Sequence, residues 1–288
     1  MIAKLSKLAD LAVVSALGVA LTAAPALADG MARRGSIKDA PAPEARRCAL
    51  SANVALATEY VFRGYSQSAE GPAVQGGFDA TCGIFYAGVW ASSLDFAGTP
   101  DAFGTLFDAS VEMDWYAGIK PKTGPVTWDL GVIYYTYPNA NNPGLELNYV
   151  ELKVGGSAEV WKDGTFGATA FWSPDYQLES GSTWTFEFAF AQALPKVGMF
   201  TPTFSALLGY QVNDGDALER FSYLSSFGNG DDNYVYWNAG VTFGFLEKWS
   251  LDLRYWDTNL DDGANPAYCR GATFQCDERF MATLKFTY

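Results

Sequence analysis

The side chains best placed to do chemistry are charged residues set inside short runs of alternating character: Glu59, Arg63, Asp79, Glu112, Asp114, Asp129, Glu151, Lys153, Glu187, Asp252, Arg254 and Lys285. Several fall two residues apart, as in Glu112 with Asp114, Glu151 with Lys153 and Asp252 with Arg254. In an extended strand that spacing puts both members on one face. Fixed charges on a hydrated face can sort ions or brace one another. A close acid pair can also exchange protons, so Glu112 and Asp114 are the one candidate for acid–base work. The sequence contains no histidine. That removes Ser-His-Asp and Cys-His catalysis and His-ligated zinc in one step. No phosphate-cradling glycine loop or nucleophile elbow is present, and no cofactor is expected. Asp257 to Gly263 resembles part of a calcium loop, but its glycine comes one residue late and Tyr268 stands where the closing Glu belongs. It reads as an acidic, solvated loop. The sum of these features points away from an enzyme.

The elements that must carry these charges are strands. From Ala49 onward apolar and polar residues alternate with period two to the last residue. Leu50, Ala52, Val54, Leu56, Thr58, Tyr60 and Phe62 share one face of the first run, which extends to Arg63. Further runs fall near 73–81, 85–92, 107–119, 127–137, 148–157, 166–173, 183–193, 203–212, 234–245, 249–256 and 279–288. These make about twelve strands of the length a tilted membrane-spanning strand needs. Short and long connections broadly alternate, as in an antiparallel up-and-down β-barrel with tight turns at one end and large loops at the other. Aromatic residues on the apolar face are expected at both ends of the strands. Trp115, Trp128, Trp249, Phe286 and Tyr288 map to the end with short turns. Tyr60, Phe62, Tyr134, Trp172, Trp184, Tyr210 and Tyr255 map to the other end. Two such girdles around an apolar band argue for a lipid-facing surface rather than a soluble sandwich. Inward Tyr86, Trp90, Tyr116, Tyr135, Tyr137, Tyr234 and Tyr236 would narrow the lumen.

The amino terminus reads as an export signal. Lys4 and Lys7 precede an apolar run from Leu11 to Leu21, then Pro25 and the small-residue site Ala26-Leu27-Ala28. Residues 1–28 are therefore expected to be a signal peptide, residues 29–47 a flexible periplasmic leader, and residues 48–288 the barrel. The net charge of −13 disfavours nucleic acid as a partner. Four cysteines suit an oxidising compartment. Of the three possible pairings, topology favours Cys48–Cys82, at neighbouring strand ends, and Cys269–Cys276, within one outer loop. Crossed pairings would have to traverse the membrane.

Residues 51–96 carry a resemblance to a known family: Glu59-Tyr60-Val61-Phe62-Arg63-Gly64-Tyr65-Ser66-Gln67, Pro72-Ala73-Val74-Gln75-Gly76-Gly77 and Phe85-Tyr86-Ala87-Gly88-Val89-Trp90-Ala91-Ser92. Val111–Gly118, Trp128–Pro138 and Asn148–Leu152 extend it. The chain resembles the TorF-type porins of the Gram-negative outer membrane. The resemblance implies an outer-membrane barrel with an assumed pore and supplies no substrate.

The expectation is a narrow, weakly cation-selective channel for small hydrophilic solutes, seated in outer-membrane lipid and lipopolysaccharide. The alternating carboxyl-terminal strand ending in Tyr288 would be read by the barrel insertion machinery. The alternative is a closed structural or surface-interaction barrel. Arg63 is expected to be a brace pairing an inward carboxylate such as Glu59 or Asp79, the alternative being a contact at the lumen or mouth for an anion or a sugar hydroxyl.

Overall fold

The structure is a computed structural model. It describes residues 48–96, 99–100, 106–138, 140, 146–213, 233–260 and 275–288. The expected signal peptide and leader, and residue Cys269 of the expected second disulfide, lie outside the described residues.

Alternation builds twelve antiparallel strands: β1 (Ala49–Ala57), β2 (Ala73–Cys82), β3 (Phe85–Ser93), β4 (Val111–Ile119), β5 (Val126–Thr136), β6 (Tyr149–Trp161), β7 (Gly164–Ser173), β8 (Thr183–Ala193), β9 (Thr201–Asn213), β10 (Asn233–Phe245), β11 (Trp249–Thr258) and β12 (Arg279–Thr287). Each pairs with its sequence neighbours, and β12 returns to pair with β1, so the sheet closes with no free edge. Closure satisfies the backbone internally, which a hydrocarbon environment demands. No helix among the described residues is long and apolar enough to cross a membrane. The connections after even-numbered strands are short and those after odd-numbered strands are long. The barrel thus has a turn end, which also holds both its termini, and a loop end.

The period-two pattern sorts the faces. Leu50, Val54 and Leu56 of β1, Val74 and Phe78 of β2, and Leu152 and Val154 of β6 all point outward and are exposed. Ala55 and Ala57, Asp79, and Glu151 and Lys153 on the same strands are buried within. Trp128, Trp161, Trp249 and Tyr288 form an exposed aromatic belt at the turn end. Tyr134, Trp184, Tyr210 and Trp237 form one at the loop end.

Three expected girdle positions are corrected. Trp115 is not at the turn end: it sits in mid-strand, directly opposite Tyr134. The strand begins at Val111 rather than Phe107, which moves its midpoint. Tyr60 and Phe62 do not face lipid. Strand β1 stops at Ala57, six residues short of the expected Arg63, and the chain that follows turns into the barrel.

Cys48 and Cys82 are disulfide-bonded. The bond joins the start of β1 to the end of β2, where Ala49 already pairs with Thr81.

Candidate lumen constriction

The segment after β1 is the feature around which the interior is organised. Val61–Phe62 pairs with Tyr65–Ser66 in a small hairpin. Its two-residue turn is Arg63-Gly64, with φ of 50° and 89°. Positive φ at both central positions is what a type I′ hairpin turn requires, and Gly supplies it without steric cost. The base of the hairpin is clamped by Gln67 N–H donating to the Tyr60 carbonyl (2.7 Å) and Tyr60 N–H donating to Ser68 Oγ (2.9 Å). Ser66 N–H donates to the Gln275 carbonyl (2.8 Å), which ties the hairpin to the segment before β12.

The tip reaches the far wall. The Arg63 guanidinium grips Glu151 of β6 through two parallel bonds, Nη1 to Oε1 at 2.7 Å and Nη2 to Oε2 at 2.9 Å. Both side chains are almost completely buried. Strand β6 stands across the twelve-membered ring from β1. The guanidinium also lies over the rings of Phe62 (4.8 Å) and Phe171 (5.0 Å). The Tyr234 hydroxyl of β10 donates to the Arg63 carbonyl at 3.0 Å. A Cβ on Gly64 would run into the Thr258 methyl at the end of β11. Two apolar clusters flank the hairpin. One gathers Tyr60, Tyr135, Tyr149 and Phe171, the other Val61, Leu207, Tyr236 and Trp256. The loop-end half of the lumen is therefore filled by the barrel's own first loop.

The expected interior charges all point inward or lie on this hairpin, but the partners differ from expectation. Arg63 does pair with an inward carboxylate, but with Glu151 rather than the nearer examples Glu59 and Asp79, because the early end of β1 frees the segment to cross the lumen. Glu59 instead pairs with Arg279 (2.5 Å), and Asp79 accepts a bond from the Tyr116 hydroxyl (2.6 Å). Asp129 takes Lys153 at 2.9 Å and the Tyr86 hydroxyl at 2.7 Å. Asp252 takes Arg254, whose remaining donors reach Asn238 and Ser205. Glu187 accepts the Tyr236 hydroxyl at 2.6 Å, and Glu112 the Tyr60 hydroxyl at 2.9 Å. Lys285 sits on β12 within the electrostatic reach of Asp79. Glu112, Asp114 and Glu187 have no ion-pair partner among the described residues.

Sequence reasoning missed Arg279 and the role of the phenols. Arg279 shares the odd-numbered phase of Met281 and Lys285 on β12, so the same alternation could have placed it inside. Tyr86, Tyr116, Tyr135 and Tyr236 were expected as space-fillers and Tyr60 as a lipid-facing girdle residue, yet all five donate their hydroxyl to an acid. Tyr86 and Tyr116 also lie flat against the wall over Gly118 and Gly88, where any Cβ would collide with the ring.

The chemistry available is electrostatic. Toward the turn end, half-exposed groups such as Asp129 and Asp252 are balanced by nearby bases. At the hairpin, carboxylates outnumber guanidinium groups. Among the described residues no group of three or more Asp, Glu, His or Cys side chains is arranged to hold a metal ion.

A family model described as "Bacterial protein of unknown function (Gcw_chp)" matches residues 42–288. No curated protein matches the chain. Among solved structures, the chain is similar to the KdgM porin, with a TM-score of 0.51 at 8% identity, covering 83% of this chain and 99% of that one. It is also similar to the NanC porin (TM-score 0.47, 11% identity, 83% and 98% covered). A COG4313 outer membrane channel from Pseudomonas putida F1 gives a TM-score of 0.47 at 12% identity, with 89% and 98% covered. At such identities the likeness to KdgM speaks for the fold, a closed twelve-stranded barrel, and for nothing finer.

Proposed function

We propose that this chain, which belongs to the Gcw_chp family of bacterial proteins, is an outer-membrane channel through which small hydrophilic solutes diffuse passively, with a bias toward cations. The observation that carries the reading is the contrast between faces. Lipid-compatible side chains and aromatic belts cover the outside of a closed barrel, while charged and hydroxylated side chains line the inside. A sheet of this kind has no reason to enclose polar groups unless its outside meets hydrocarbon. Export through the expected signal peptide, insertion through the β12 signal and contact of the loop end with lipopolysaccharide belong to the same proposal. The TorF-type resemblance is compatible with it.

The hairpin sets the mechanism. A solute entering from the loop end meets the Arg63–Glu151 bridge before it meets open lumen. Passage is then governed by the narrow space beside the tip and by the excess carboxylate charge there, since lumen charge tunes selectivity. The reading assigns no bond-making step and makes the protein a conduit rather than an enzyme.

Single-channel recording of purified protein in planar bilayers tests this. Small discrete steps are expected, with a reversal potential in a KCl gradient displaced toward the K+ equilibrium value. One specific observation favours a second reading, a closed structural or surface-interaction barrel: the hairpin is held at its base, its tip and both flanks. If wild type and Arg63→Ala protein are both silent while correctly inserted, the second reading stands and the channel proposal fails.

A further inference from the structure

The geometry points to a binding site for one compact inorganic cation between Asp114 and Glu112, inside the wall that the hairpin packs against. The two residues stand two apart on the inner face of β4. Register places Asp114 beside Trp90 and Tyr135, and Glu112 beside Ser92. Asp114 is 0% exposed and Glu112 2% exposed. Glu112 accepts a bond from the Tyr60 hydroxyl and lies within hydrogen-bonding reach of the Tyr137 hydroxyl as well. Asp114 is the anomaly, because among the described residues no group outside the pair donates a hydrogen bond to either of its carboxylate oxygens. Its carboxyl group lies within hydrogen-bonding reach of that of Glu112, its neighbour on the same strand face. The guanidinium at the hairpin tip, Arg63, is paired through its two terminal nitrogens with Glu151 rather than with this pair.

Two desolvated carboxylates facing each other without a counter-charge among the described residues are too costly to persist, so the pair must take up protons or a cation. A proton shared by the pair would leave one negative charge and at least one bare Asp114 oxygen. A compact cation answers both. The side-chain donors on offer among the described residues are carboxylate and hydroxyl oxygens, which suit hard cations such as Ca2+ or Na+ and not the thiophilic or imidazole-seeking metals. A divalent ion would neutralise the pair outright. The site holds two acids rather than three, so hydroxyl, main-chain or water oxygens complete the shell. This inference rests on the β4 geometry and does not require that the barrel conduct.

The test uses the purified full chain in detergent at constant ionic strength. Its thermal transition is measured in choline chloride, NaCl and CaCl2. Tb3+ luminescence is excited through the aromatic rings around the pair. An upward shift of the transition in Na+ or Ca2+ over choline is expected, lost in Asp114→Asn and weakened in Glu112→Gln. A Tb3+ signal displaced by Ca2+ is expected, lost in Asp114→Asn and kept in Asp163→Asn, a change in an exposed turn. Should Asp114→Asn fail to fold, the wild-type ion dependence and Glu112→Gln still decide. Identical transitions in all three salts, or a Tb3+ signal that survives at full strength in Glu112→Gln and Asp114→Asn, would overturn the site and leave a shared proton as occupant. Silence in planar bilayers would leave this result untouched.

Discussion

Arg63 and Gly64 show how much of the interior depends on two residues. The guanidinium can reach Glu151 because the turn carries it across the lumen, and the turn exists because both residues accept positive φ. Removing one partner of a buried bidentate pair leaves the other charge stranded, which costs about 3–5 kcal/mol. Glu151→Gln is therefore expected to lower unfolding stability by roughly that amount in urea titrations, whereas a midpoint unchanged from wild type would mean the bridge is solvated. Gly64→Ala acts differently. It adds a methyl where the tip meets Thr258, in a backbone conformation that disfavours side chains. The expected result is an undocked tip and larger single-channel steps, with the outer wall unaffected.

At the scale of the elements, the strands divide labour strictly between their faces. Val154 faces outward in mid β6, one residue from Lys153, which faces inward to Asp129. Val154→Arg would press a charge into hydrocarbon, at about 2–4 kcal/mol near the bilayer midplane. Thr169→Arg, on the half-exposed inner face of β7, is expected to cost much less and to alter ion selectivity instead. Refolding yield into lipid vesicles against urea separates the two, and equal penalties would argue against a lipid-facing exterior. The Cys48–Cys82 bond stitches β1 to β2 at the turn end. Its replacement by two serines is expected to cost about 2–4 kcal/mol, read as a lower temperature for the loss of the compact, heat-modifiable band on gels.

At the scale of the whole molecule, closure and plugging are separable. The barrel closes through main-chain pairing of β12 with β1, which does not involve the hairpin. Deleting residues 59–68 and bridging the gap with a short flexible linker is thus expected to leave a folded barrel. Its conductance should rise above wild type while cation preference falls, because the excess carboxylates at the tip then face a wider path. A deletion variant that folds but conducts no better than wild type would place the restriction elsewhere.

The alternation of residues 49–288 was enough to read a twelve-stranded barrel, its inward charges and the Cys48–Cys82 pairing, because each follows from the two-residue period and from which strand ends must meet. Local sequence could not tell that β1 stops at Ala57. Thr58 to Phe62 continue the same pattern, and nothing in their types marks a change of direction. What decides it is an interior whose far wall offers Glu151, Phe171 and Tyr234 to an incoming hairpin, contacts between residues some 90 to 170 positions apart. The partners of the charges were hidden for the same reason. A period reports which face a side chain occupies, whereas pairing across a lumen depends on the height and diameter of the closed ring, and those are set only when all the strands have joined.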